Sequence, residues 1–422
     1  MKNSGIEWIG QIPDSWQYFR LKDYYVFEKG KNAALYTQEY IGTHNGEFPV
    51  YSGQTENDGI MGTISSFDYD EKECLFTTTV GAKVMTPKVL SGKFSLSQNC
   101  LIMKQVKPCC NKYIFYQLLP LFDYTKSMIP SYMQPSLRVA DLNTYGFFVP
   151  NKAIQEQIAD CLDCKCAKID KLIEVQQAQI EKLKEYKQSV ITEAVTKGLD
   201  PTAPMKDSGV EWIGKIPEGW EVCRIKNLPD YSVENCFIDG DWIESPDIAD
   251  SGIRYLTTGN VGDGQFKYQG NGYITKETFD KLNCKFAYPG DWVIARLNAP
   301  YGRSCILPND KDRYVLAVDI VILRTKYNKK YFCYFTQCPE FQHTVEDYAR
   351  GTAMKRISRT NLGAVKTVLP SIEEQNEIAD YLDNKCAKID KLIALKQSKI
   401  EKLQEYKKSL IYEYVTGKKE VI

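Results

Sequence analysis

Lys165-Cys166-Ala167-Lys168-Ile169-Asp170-Lys171-Leu172-Ile173 stands a second time, unchanged, at residues 385–393. The match extends both ways at one offset: Ile158-Ala159-Asp160 returns as Ile378-Ala379-Asp380, and Ile180-Glu181-Lys182-Leu183 as Ile400-Glu401-Lys402-Leu403. About two-thirds of positions agree between residues 158–196 and 378–416, which at this length marks an internal duplication. Neither stretch contains Pro or Gly, and both are rich in Lys, Glu, Leu, Ala and Gln, so local propensity favours helix throughout. Apolar residues return every seventh position at Leu162, Ile169, Leu183 and Val190, with Gln176 interrupting, and again at Leu382, Ile389, Leu403 and Leu410, with Lys396 interrupting. A helix of about 40 residues is roughly 60 Å long, more than one globular core can cover, so the two copies are expected to pack on each other.

A leader repeats as well. Ser4-Gly5-Ile6-Glu7-Trp8-Ile9-Gly10, Ile12-Pro13 and Trp16 return as Ser208-Gly209-Val210-Glu211-Trp212-Ile213-Gly214, Ile216-Pro217 and Trp220. The repeated unit is therefore leader, variable block, long helix, and its tryptophans read as anchors on a neighbouring surface. Within the first block, residues 48–53, 73–81 and 100–103 read as strands and 113–119 as a short helix. The second block offers strands at 255–257, 291–296 and 320–324, and Asn328 to Pro339 echoes Asn111 to Pro120. The fold class is α+β, with framework duplicated and contents not.

The chain has 422 residues, zero formal net charge, fourteen cysteines and two histidines. Its first residues lack an apolar run behind a basic patch, and 18 apolar residues never come together, so a cytoplasmic protein with reduced thiols is expected. Cys161, Cys164 and Cys166 invite a zinc reading, but the second copy has Tyr381, Asn384 and Cys386 there, so small apolar helix residues are expected instead. Asn298-Ala299-Pro300-Tyr301 only partly matches a methyltransferase loop, and a phosphate-binding Gly-Lys-Ser/Thr loop is lacking. No nucleophile with a base and no carboxylate metal set assembles, so no catalytic residue is assigned.

Basic and amide residues gather instead in the variable blocks. Arg350, Lys355, Arg356 and Arg359 lie in a run without an acid and, with Arg296, Asn298, Tyr301 and Arg303, form a candidate DNA-facing surface. The corresponding segment of the first block carries Gln134, Ser136 and Arg138, and Lys83, Lys88, Lys93, Ser95, Gln98 and Asn99 add a further candidate surface.

The duplicated order of parts, Ser-Gly-x-Glu-Trp-Ile-Gly-x-Ile-Pro, a variable block ending in Pro, then Glu-Gln, Ile-Ala-Asp and Ile-Asp-Lys-Leu-Ile, resembles the specificity subunits of type I restriction-modification systems over essentially the whole chain. The helix start differs between copies: Glu156-Gln157 directly precedes Ile158-Ala159, whereas Glu374-Gln375 stands two residues further from Ile378-Ala379. The resemblance implies target-recognition domains at 1–150 and 201–370, each reading half of a split duplex-DNA sequence. It also implies spacer helices at 151–200 and 371–422 that pack antiparallel as a coiled coil, giving a pseudo-two-fold repeat. Such a subunit binds no cofactor. It docks two methyltransferase subunits, which use S-adenosylmethionine, and restriction/translocase subunits, which use ATP and Mg. The competing expectations are a protein-binding scaffold without DNA contact and a fused methyltransferase or nuclease active on its own.

Overall fold

The computed structural model describes residues 1–54, 57–81, 83–270, 272–351 and 355–421. Both duplicated stretches are unbroken helices, Lys152–Lys197 and Ile372–Val415. The chain divides into two compact units, and the division falls inside both helices: the first unit holds Met1–Gln177 and Gln397–Ile422, the second Ala178–Lys396. Each globular block thus shares a unit with one piece of its own helix and one piece of the other.

In the first unit the helix pieces run antiparallel. Lys165 lies 5.5 Å from the Tyr414 ring centre, and five residues later Asp170 accepts from Lys407 at 2.7 Å. The second unit repeats the arrangement with Lys187 donating to Asp390 at 2.7 and 2.8 Å and Lys396 donating to Gln179. These ion pairs are partly exposed and add little each. Burial of the seven-residue stripe does most of the work: Leu162, Ile169, Leu382, Ile389 and Leu410 are all buried.

Each leader caps a helix end. Gly198 and Gly417 take φ of +77° and +70°, the left-handed turn that closes a helix, and a Cβ there would press on Trp220 at 3.3 Å or Pro13 at 2.5 Å. Trp220 is fully buried and its indole donates to Glu374 at 3.1 Å. Tyr113 and Tyr331 then donate their hydroxyls to Val415 O and Val195 O, tying each globule to the last turn of a long helix.

The helix start resolves through a glutamine. Gln375 accepts from Asn328 N at 2.9 Å and donates to Pro370 O at 2.9 Å; Gln155 does the same with Cys110 N at 3.1 Å and Pro150 O at 2.9 Å. Gln155, not Gln157, is therefore the counterpart of Gln375, because burial and backbone partners select the position facing inward. Gln155→Ala is expected to destabilise the first unit by about 1–3 kcal/mol, leaving the buried Pro150 O and the partly buried Cys110 N unpaired, and Gln157→Ala by less than about 0.5 kcal/mol. Denaturant titration of the two variants checks the difference.

The first globule is built on a six-stranded sheet in the order Tyr25–Lys29, Cys100–Gln105, Tyr69–Thr78, Pro87–Leu96, Asn45–Tyr51, Ile60–Ile64, antiparallel except where Asn45–Tyr51 joins Pro87–Leu96. The short helix expected at 113–119 is instead Asn111–Ser127 and runs through Pro120, since burial of Leu121 and Phe122 beyond it offsets the proline's cost. The second globule has a four-stranded sheet in the order Phe237–Asp239, Ile320–Leu323, Trp292–Ala295, Ser304–Ile306, and a three-stranded one in the order Tyr273–Ile274, Ile253–Leu256, Tyr314–Leu316. Its helix, Lys329–Phe335, stops before Pro339, which begins another. The same two-strand closure joins each globule to its helix: Gln17–Arg20 with Gly146–Val149, and Glu221–Arg224 with Lys366–Leu369. Among the described residues no helix is long and apolar enough to cross a membrane.

Candidate nucleic-acid interface

Both globules build the same rim from different residues. In the first, the interior strand Tyr69–Thr78 runs on so that Thr79 N donates to Asn99 O at 2.8 Å, Leu137 N donates to Thr79 O at 2.8 Å, and Val80 bridges Ser136. Three pieces therefore meet beyond the strand end: the segment formed by Val80, Gly81 and the turn at 83–85, the turn at 97–99, and a strap at 128–138 pinned by buried Leu137. In the second globule Trp292–Ala295 plays the strand, Ile357 N donates to Arg296 O at 3.1 Å, and Leu297 bridges Arg356. Buried Ile357 pins that strap. Each turn then enters the left-handed region at its second residue, Gly81 at φ +100° and Asn298 at φ +63°.

The first rim gathers Lys83, Gln98, Asn99, Gln134, Ser136 and Arg138, all exposed. Sequence reasoning missed Tyr132, 86% exposed on the strap, although an aromatic in an amide-rich loop was a legible signal. Lys88 stands near this end but is half-buried and tied to Asp58. Lys93 lies five residues along the strand, about 17 Å away, over the rings of Phe48 and Phe67. Ser95, expected on the surface, is fully buried, and its hydroxyl accepts from Asp68 N at 3.0 Å.

The second rim corrects three further expectations. Tyr301 is buried in the apolar core. Arg303 is buried and donates to five backbone carbonyls, Thr258, Val261, Leu297, Asn298 and Pro300, at 2.7–3.3 Å. Arg296 is buried, donating to Ile357 O at 3.0 Å and Val318 O at 2.6 Å, and stands 3.1 Å from Asp239 and 3.8 Å from Asp319. Burial lowers the pKa of both arginines, opposed by Asp239 and Asp319 for Arg296 and chiefly by Asp263 for Arg303. The shift leaves the guanidinium charged at neutral pH.

Asn298, Arg350, Lys355 and Arg356 remain exposed, and Arg359 is half-exposed. Thr352, Ala353 and Met354, which fall between Arg350 and Lys355 in the basic run, lie outside the described residues. The run is less cationic than it reads, because the fold brings carboxylates to it. Arg356 pairs with Asp319, Arg359 stands 3.6 Å from Asp239, and Lys355 stands 3.6 Å from Glu346. The arrangement offers guanidinium and amide donors along one rim edge, suited to phosphates and base edges.

Among the described residues no group of three or more His, Cys, Asp or Glu is placed to hold a metal ion. Cys166 and Cys386 are buried in the helix stripe, where burial raises the thiol pKa.

One helix framework written twice, carrying two unlike rims, defines a two-headed recognition protein. The family model for the type I restriction modification DNA specificity domain matches twice, at residues 13–185 and 217–405, and the chain belongs to that family of specificity subunits. It is 25% identical to the type I restriction enzyme MjaVIII specificity subunit of Methanocaldococcus jannaschii over 97% of this chain and 94% of that one. A putative type I specificity subunit of Mycoplasma pneumoniae is 34% identical over 39% of this chain and 66% of its own. Among solved structures, a chain from a type I R-M system superposes with a TM-score of 0.70 at 14% identity, covering 96% of this chain and 98% of that one. The HsdS subunit of Thermoanaerobacter tengcongensis gives 0.51 at 14% identity, over 99% and 100%.

Proposed function

We propose that each globule reads one half of a bipartite duplex-DNA target through its rim and that the long helices fix the spacer between halves. The observation that carries this is the shared rim: the same backbone construction beyond an interior strand, carrying amides, hydroxyls and an aromatic beside Lys83 and Arg138 in one globule, and three arginines, Lys355 and Asn298 in the other. The helix framework docks two methyltransferase subunits that use S-adenosylmethionine, and restriction/translocase subunits that consume ATP with Mg. The chain itself supplies recognition and no chemistry. Zero net charge suits that division, because partners neutralise much of the phosphate backbone. Mapping methylated bases in a host with and without this gene is expected to show one split motif that disappears on deletion. An unchanged methylation map would refute the reading.

A further inference from the structure

Beyond the interior strand Trp292–Ala295, the turn that carries Asn298 is held from beneath by one buried cation. Arg303 Nη1 reaches Leu297 O, Asn298 O and Pro300 O at 3.3, 2.7 and 3.2 Å, while Nε and Nη2 reach Val261 O and Thr258 O at 2.7 and 2.9 Å. Three carbonyls of one turn thus share a single donor, and the loop at 258–261 is fastened to the same guanidinium. Strap and turn also meet, because Leu297 bridges Arg356 and Arg356 in turn bridges Arg350. At the crest of this construction Asn298 is exposed, and its carboxamide has no partner among the described residues. A stiff backbone, a free donor and acceptor on one short side chain, and guanidinium neighbours on the strap are what bidentate base recognition requires.

We infer that Asn298 reads one base pair of the second half-site, with adenine as its partner through N6 and N7, and that Arg303 is the positioning residue that fixes its reach. The inference rests on the proposed reading of DNA by this globule and adds the residue, the base and the support. Arg303 acts through backbone carbonyls and stays off the duplex, so its charge is structural. Strap arginines 350 and 356 take phosphate.

The left-handed φ of Asn298 supplies the control, since glycine takes that conformation freely and aspartate tolerates it. In the assembled complex with its methylating subunits, Asn298→Gly is expected to lose on the order of tenfold discrimination at one position of the second half-site, with the first half-site unchanged. Asn298→Asp is expected to move the preference at that position from adenine toward cytosine, whose N4 donates. Arg303→Lys keeps a cation but not the fork, and is expected to blunt the same position in part, whereas Arg303→Ala blunts it fully. Methylation profiles on a randomised target library, with melting temperature measured alongside, read all four variants. A wild-type profile for Asn298→Gly, or loss at a different position from Arg303→Lys, overturns the assignment. Failure of the wild-type complex to select any split motif overturns the underlying reading instead.

Discussion

Matched insertions of four residues, one between Gln177 and Ala178 and one between Lys396 and Gln397, are expected to lengthen the target's spacer by one base pair and leave both half-sites unchanged. These are the points where the compact units divide, so neither globule loses a contact to its own helix pieces. Insertions at Thr196 or Thr416 are a poorer choice, because they would pull Gly198 and Gly417 away from the helix ends that the leaders cap. Four residues advance a helix by about 6 Å and turn it about 40° past a full revolution, a stutter that an antiparallel pair absorbs by local unwinding. For a helix pair lying along the duplex, one base pair supplies about 3.4 Å and about 35°, and two supply about 7 Å and about 70°. Two pairs match the length, but their phase error of about 30° carries a reading loop several ångströms around the groove. One pair matches the phase and leaves under 3 Å of axial error, which a small tilt accommodates. Methylation mapping of the double-insertion variant decides the matter. An unchanged spacer, or altered half-sites, defeats the ruler.

The helix framework was legible because it is written twice: offset identity at residues 165–173 and 385–393 needs no structural knowledge, and Leu162, Ile169, Leu382 and Ile389 fall inside as the period requires. The rim was not legible as a unit. Leu137 and Ile357 keep the helix offset, but the strand ends they pin, Thr79 and Arg296, are spaced three residues differently, and single backbone bridges leave no periodic trace. Charge misled for a related reason. Arg350, Lys355, Arg356 and Arg359 form an acid-free run in sequence, yet Asp239 and Asp319 reach it only through strand pairing and chain return. Tyr301 and Arg303 follow closely on an exposed asparagine and so looked exposed themselves, but the ring joins the apolar core and the guanidinium turns in to backbone carbonyls. Gln155 went unrecognised because Gln157 offered a better letter match.

The largest single-residue loss of stability is expected from Arg296→Met, about 3–5 kcal/mol, confined to the second globule. Arg296 is 5% exposed and sits between Asp239 and Asp319 while donating to Ile357 O and Val318 O. Methionine fills much of the volume and replaces none of the charge, so among the described residues the two carboxylates keep only Arg356 and Arg359 as cationic partners, both more exposed than Arg296. Two carbonyls also lose their donor, one of them on Ile357, the residue that pins the strap. The strap should therefore loosen before the sheet does. Hydrogen exchange is the measurement that sees this locally, since a chain of two compact units need not unfold in one step. Faster exchange is expected at the Ile357 amide, which donates to Arg296 O, with residues 69–105 of the first globule unchanged. Arg356→Met serves as the comparison: its side chain is 42% exposed, so its removal is expected to cost under about 1 kcal/mol and to reduce the salt dependence of DNA binding by about one unit of slope. Equal stability losses for the two substitutions would mean that the buried arginine is no more structural than the surface one.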